Sequence, residues 1–239
     1  MRLQVFLAHS GVASRRACGE YIAEGRVTVN GQIVTEPGFR VGEDDAVVFR
    51  RRRVYPVRNF VYVVLNKPEK FLSTTRDPQN RPLALDLLKP GFDLRLYPVG
   101  RLDYLSSGLI FFTNDGDFAQ AVSHPSAGVE KEYLVETKRE IPEEFLREYH
   151  KGIVVEGERY RLKSWTLRGP RTAAVVLEEG KNRELRKVFS SRGLYPRKIH
   201  RIRIGHVNVK GLDSGRFRRL TAREVQMFIK KGKAHGSSD

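Results

Sequence analysis

The chain has 239 residues, 40% of them hydrophobic, which suffices for one large domain or for a small one beside a medium one with a real core. Lys and Arg number 44 against 28 Asp and Glu, a net charge of +16 that points to a polyanionic partner, nucleic acid first. No apolar run approaches the roughly 18 residues of a spanning helix, and the basic residues form no single amphipathic segment, so no membrane partner is expected. One cysteine, Cys18, and six histidines without ligand spacing exclude an internal disulfide, a zinc cluster and an HExxH site.

In chain order, residues 3–9 place Leu3, Phe6 and Leu7 on one face of a short helix closed by Gly11. Gln4, His9 and Ser10 interrupt any signal-peptide core, so the expected location is the cytoplasm. Ser14 suits the N-cap of a second helix, SRRACGEYIAEG, and RVTVNGQIV reads as a hairpin turning at Asn30-Gly31. In this small module Arg15 and Arg16 start a helix and Arg26 opens the hairpin. They are either a solvated face or the flanks of one phosphate-binding groove.

The run RRRRVYPVR, Arg50 to Arg58, reads as a basic linker. FVYVVLNKP follows as a strand buried on both faces and stopped by Pro68, then a loop and short helix, then LYPVGRLD leading into the strand GLIFFTN. Asp103 in that stretch has two readings. It is a turn acid bonded to local backbone, or a carboxylate presented to a substrate with Arg101 keeping it ionised. DGDFAQAVSHPS, IPEEFLREYHKG, KNRELRKVFSSRG and TAREVQMFIKKG read as helices; KEYLVET, GIVVEGERYRLKSWTL, TAAVVLEEG and IHRIRIGHVNV read as strands. Without a regular βαβ period the expected class is α+β, a small αα-hairpin module plus a larger domain with a mixed or antiparallel sheet. No GxGxxG or Walker A sequence is present, so the usual nucleotide cofactors are not expected.

From Lys181 to Arg203 nine Lys or Arg stand against one acid, Glu184. Arg183, Arg186 and Lys187 lie at helical spacing beside Leu185, Val188 and Phe189, and IHRIRIGH repeats the charge on alternating positions. The expectation is a continuous basic surface for RNA.

The ordered set RLQVFLAHSGVASRR, GRVTVNGQIV, LNKP, GRLDYLSSGLIFFTNDG, HPS, KEYLV, EGKNRELRKVF and RIRIG resembles the ribosomal-RNA pseudouridine synthases of the small-subunit and large-subunit uridine group that carry an N-terminal S4 RNA-binding domain. The resemblance implies an S4-like domain with basic linker over 1–58, a synthase domain over 59–232 and a flexible tail over 233–239. It makes Asp103 of GRLD the essential acid, Tyr133 of KEYLV a contact to the target base and Arg186 of NRELR the partner of that acid. RNA contacts are expected from Arg15, Arg16, Arg26, Lys67, Arg101, Lys131, Lys181, Asn182, Arg183, Lys187 and Arg201.

The implied isomerisation breaks the bond from N1 to C1′ and joins C5 to C1′ without net change of atoms, so no cofactor and no metal are expected. The implied partner is ribosomal RNA, with the large subunit slightly favoured, and the implied state is a monomer. Lys70 stands where the resembled family usually has glycine, and Glu184 where the commonest versions have glutamine. The competing reading is a non-catalytic RNA-binding or ribosome-assembly factor with an inert Asp103. A pure binder has no reason to keep Asp103, Tyr133 and Arg186 together.

Overall fold

The computed structural model describes residues 1–57, 59–92 and 94–235, which divide into two compact units, Met1–Val61 with Asn114–Gly116 and Tyr62–Thr113 with the rest. Arg58 and residues 236–239 of the expected linker and tail lie outside the described residues; 233–235 continue a helix.

In the smaller unit, helices α1 (Leu3–His9) and α2 (Arg15–Ala23) pack on a sheet of β1 (Val27–Val29), β2 (Gln32–Ile33), β3 (Val47–Phe49) and β4 (Arg52–Arg53), in the order β2-β1-β3-β4. Ser14 caps α2 by accepting from the Ala17 N–H at 3.2 Å, as its position predicts. Asn30 and Gly31 both take positive φ, 51° and 84°, as a two-residue hairpin turn requires. Leu3, Phe6, Leu7, Cys18, Ile22, Val27, Val29 and Val47 form the core.

The basic run departs from its reading as a linker, because Arg50 and Arg51 take φ of 49° and 64° and turn β3 back into β4. Two consecutive left-handed arginines are costly. The Arg50 guanidinium sits 5.2 Å from the Phe49 ring centroid and 5.8 Å from that of Tyr21, contacts that offset part of the strain.

The larger unit contains, in order, β5 (Tyr62–Lys67), β6 (Tyr97–Val99), β7 (Ser107–Thr113), α3 (Gly116–Ser123), β8 (Lys131–Thr137), α4 (Glu143–Lys151), β9 (Ile153–Val155), β10 (Glu158–Tyr160), β11 (Ser164–Gly169), β12 (Thr172–Leu177), α5 (Glu184–Ser191), β13 (Pro196–Ile204), β14 (Val207–Asn208), β15 (Phe217–Arg219) and α6 (Ala222–His235). The main sheet runs β11-β12-β8-β13-β7-β5-β15, with β14 on β13 and β6 on β7. Its described pairs are antiparallel except β13 with β7. The class is α+β, as the irregular alternation of elements predicts.

Every residue of β7 is buried, which is why GLIFFT carries no alternation: both faces are covered. Phe111, Phe118 and Phe228 meet on one side at centroid distances of 5.5–6.3 Å. Gly108 has φ of 107°, and a Cβ there would lie inside the backbone of Arg201. Only glycine lets β7 approach β13 this closely. No described helix is long and apolar enough to cross a membrane.

Candidate active site

Sheet register assembles the site. Tyr133 on β8 stands directly opposite Arg201 on β13, and Arg201 stands opposite Gly108 on β7. Directly paired residues share a face, so the Tyr133 and Arg201 side chains meet. The Arg201 guanidinium donates from Nη1 to the Tyr133 hydroxyl at 3.3 Å and from Nε to the Leu109 carbonyl at 2.6 Å. The loop carrying Asp103 ends where β7 begins, so the parallel pair of β7 and β13 delivers it to the same place.

That loop is pinned at several points. Gly100 takes φ of 73° and starts the turn. The buried Ser73 hydroxyl donates to the Leu102 carbonyl at 3.0 Å and accepts from the Leu102 N–H at 3.2 Å. Lys70 N–H donates to the Tyr104 carbonyl at 2.6 Å, and the Asp103 carbonyl accepts from Ser106 N–H at 3.0 Å. Lys70 has φ of 63°, the conformation glycine takes freely, so a lysine holds this turn at a steric cost of roughly 1 kcal/mol.

A cavity of about 160 Å³ is lined by Arg101, Asp103, Lys131, Tyr133, Lys181, Arg183, Arg186 and Arg201, among others. An adjoining cavity of about 660 Å³ shares Arg101, Asp103, Arg183 and Arg186 and adds Arg76, Asp77 and Arg81. Asp103, partly exposed, faces both. Together they form a small chamber with an acid at its mouth and a wider arginine-rich approach, dimensions suited to one extruded base and its flanking backbone.

Two of the residues expected to contact RNA, Lys67 and Arg201, lie buried in the sheet and not on its surface. Lys67 is fully buried, and its ammonium donates to the Pro68 and Phe71 carbonyls at 2.8 and 3.0 Å. Burial pulls its pKa down to about 8, with the Arg201 charge adding to that pull and the Glu69 and Asp103 charges opposing it. It holds the turn after β5 from the interior. Arg201 is 96% buried by the same central-strand geometry, since its relative exposure is 4%. Its Nη2 has no hydrogen-bond partner, at a cost of roughly 1–3 kcal/mol. The expected continuous basic surface on β13 is also reduced, because Arg203 is held by Glu130 and Glu132 at 3.2 and 2.7 Å.

Arg186 lines both cavities with Asp103 but forms no ion pair with it among the described residues. Its Nη2 donates instead to the Leu105 carbonyl at 3.4 Å, two residues past the acid. The helix that carries it is anchored by Glu184, whose carboxylate accepts from the buried Tyr149 hydroxyl at 2.9 Å and from Lys181 N–H at 3.3 Å. Burial pushes the Glu184 carboxyl up to about 7, against those two hydrogen bonds. Burial, then the Glu184 charge, pushes Tyr149 upward.

Of the other expected RNA contacts, Lys181 pairs with Glu158 at 3.4 Å, Lys187 with Glu156 at 3.4 Å, Arg16 with Glu20 at 3.7 Å and Arg26 with Glu24 at 2.7 Å. Such exposed pairs are weak enough to exchange for phosphate. Arg15, Asn182 and Arg183 are exposed. Sequence reasoning missed Ser73, whose clamp on Leu102 spans a long loop, and the burial of Arg201. For the latter a signal existed: a period of two puts Arg201 on the face of the buried Ile199. The described residues hold no group of acids, histidines and cysteines able to bind a metal ion.

Residues 61–191 match the family model for RNA pseudouridylate synthase, and residues 1–47 match the S4 domain. An uncharacterized RNA pseudouridine synthase of Borreliella burgdorferi is 42% identical over 90% of this chain and 87% of its own. Ribosomal large subunit pseudouridine synthase B of Bacillus subtilis is 37% identical over 94% of each chain. A crystal structure of a pseudouridylate synthase shares the fold, with a TM-score of 0.68 at 24% identity over 95% of this chain and 99% of that one. The chain therefore belongs to the RNA pseudouridylate synthase family and carries an S4 domain. It is an RNA-modifying isomerase.

Proposed function

We propose that this enzyme, acting as a cytoplasmic monomer, converts one uridine of large-subunit ribosomal RNA to pseudouridine, with Asp103 as the essential carboxylate. The observation that carries the reading is that Asp103, Tyr133 and Arg186 line one cavity sized for a base. Asp103 serves as nucleophile or base beside the sugar. Tyr133 stacks on the extruded uracil, and its hydroxyl takes or relays the proton lost from C5. Arg186 spans from the Asp103 loop to the RNA.

The sum of bonds closes without a cofactor. N1 gives up C1′ and gains a proton, while C5 gains C1′ and loses one. Extruding the uridine costs a few kcal/mol, so a loop or single-stranded target is favoured. Contacts from Arg101, Arg183, Lys131, Lys181, Asn182 and Lys187, and from Arg15, Arg16 and Arg26 of the S4 domain, offset that cost. The relatives named for large-subunit RNA support the choice of substrate. A pseudouridine map of ribosomal RNA from cells lacking the protein tests it. Loss of one site in the large-subunit RNA is expected; loss confined to the small-subunit RNA contradicts the assignment.

A further inference from the structure

We propose that Arg201 is a further catalytic residue of this reaction, supplying a hydrogen bond and positive charge to the carbonyl oxygens of the uracil ring while the ring is being transferred. The inference rests on the reading of Asp103 as the essential carboxylate of the same cavity. Arg201 lines that cavity, and two of its three nitrogens are committed, Nε to Leu109 and Nη1 to Tyr133. The third, Nη2, is buried with no partner, and no carboxylate pairs with the guanidinium among the described residues. A purely structural arginine on a central strand would have its donors filled or would give way to an apolar residue. Here a desolvated cation is instead held rigidly by the strand and by two fixed hydrogen bonds.

Whichever course Asp103 takes, negative charge gathers on the uracil carbonyls. Attack at C1′ and proton abstraction from the sugar both break the N1–C1′ bond and leave its electron pair on the ring, delocalised over N1, O2 and O4. Attack at C6 places the pair on O4. A preorganised cation in a water-poor cavity is worth most where charge develops during reaction. Lys67, buried close enough for the Arg201 charge to lower its pKa, adds to the same positive field.

The test uses the full chain with R201M and R201K on a ribosomal-RNA fragment tritiated at uridine C5, followed by tritium release under single turnover, with RNA affinity measured separately. R201M is expected to bind RNA within about threefold of the wild type and to react about 100- to 1000-fold more slowly. R201K is expected to keep part of the rate at low pH and lose it as pH rises, because burial lowers a lysine's pKa as it does at Lys67. A folded R201M within about fivefold of the wild-type rate overturns the proposal. Should R201M fail to fold, R201K decides, and a rate following the wild-type pH profile overturns the proposal. D103N is run alongside. Turnover by D103N brings down the reading of the site and this inference with it, whereas inactive D103N beside fast R201M removes the inference alone.

Discussion

Ser73 and Leu102 exchange two hydrogen bonds, the serine hydroxyl donating to the Leu102 carbonyl at 3.0 Å and accepting from its N–H at 3.2 Å. Both residues are buried, so this pair fixes the backbone one residue before Asp103 without help from water. Ser73→Ala leaves both Leu102 groups unpaired, at roughly 1–3 kcal/mol. The variant is expected to melt earlier and to lose single-turnover rate while keeping RNA affinity. Equal losses in rate and affinity would show that the clamp does not position the acid.

Lys70 holds a left-handed conformation at φ of 63° while its N–H supports the Tyr104 carbonyl. Lys70→Gly relieves the steric cost and retains the hydrogen bond. The net gain is about 0.5 kcal/mol, the steric relief of roughly 1 kcal/mol less the freedom glycine gains in the unfolded chain. A rise of the unfolding free energy by that amount, seen as a higher urea midpoint at unchanged slope, is expected. An unchanged or lower midpoint contradicts the strain assigned to this residue.

Much of this arrangement was legible in the chain. The caps, the Asn30-Gly31 hairpin and the unbroken apolar run of β7 are local patterns, and local physics determines them. The ordered motifs pointed to the family and to Asp103, Tyr133 and Arg186, three residues that line one cavity. What escaped was non-local. The alternation in IHRIRIG puts Arg201 on the face of Ile199, but nothing in it shows that β13 lies between β7 and β8, and that position buries Arg201 in the lining of the cavity. The burial of Lys67 was missed for the same reason, since a lysine after six apolar residues and Asn66, and just before Pro68, reads as a strand end. The Arg50-Arg51 turn was missed because its residues lack the glycine or asparagine that announces such turns.

The Glu184 carboxyl is pushed up to about 7 by burial, above its ordinary value of 4.5. The folded state therefore binds more protons than the unfolded state between those values, and stability falls as pH rises from about 4.5 through about 7. Glu184→Gln is expected to match the wild type near pH 4, below the unfolded value, and to exceed it near pH 8, by an order of 1–3 kcal/mol. Melting curves at the two pH values check this. A variant that loses stability at pH 8 would mean that the charged carboxylate is the better partner for Tyr149 and Lys181.

Gly108 combines φ of 107° with a backbone approach to Arg201 that has no room for a Cβ. Gly108→Ala is expected to cost at least about 3 kcal/mol by forcing β7 from β13. Because that pair aligns Arg201 with Tyr133, soluble variant protein should also lack turnover. A folded, fully active alanine variant would contradict the register described for the site.

RNA affinity should fall steeply with salt, since arginines line the approach to Asp103. Arg183→Gln is expected to weaken binding similarly for different RNA sequences. It should also flatten the plot of log affinity against log salt by roughly 0.7 for a single-stranded contact. An unchanged slope would remove Arg183 from the phosphate contacts.

The most direct test of the central claim is pseudouridine formation by purified wild-type and D103N protein on ribosomal RNA from cells lacking the enzyme. The account predicts one new pseudouridine with the wild type and none with D103N, at equal RNA affinity. Formation of the same pseudouridine by D103N at a wild-type rate would contradict the role given to Asp103.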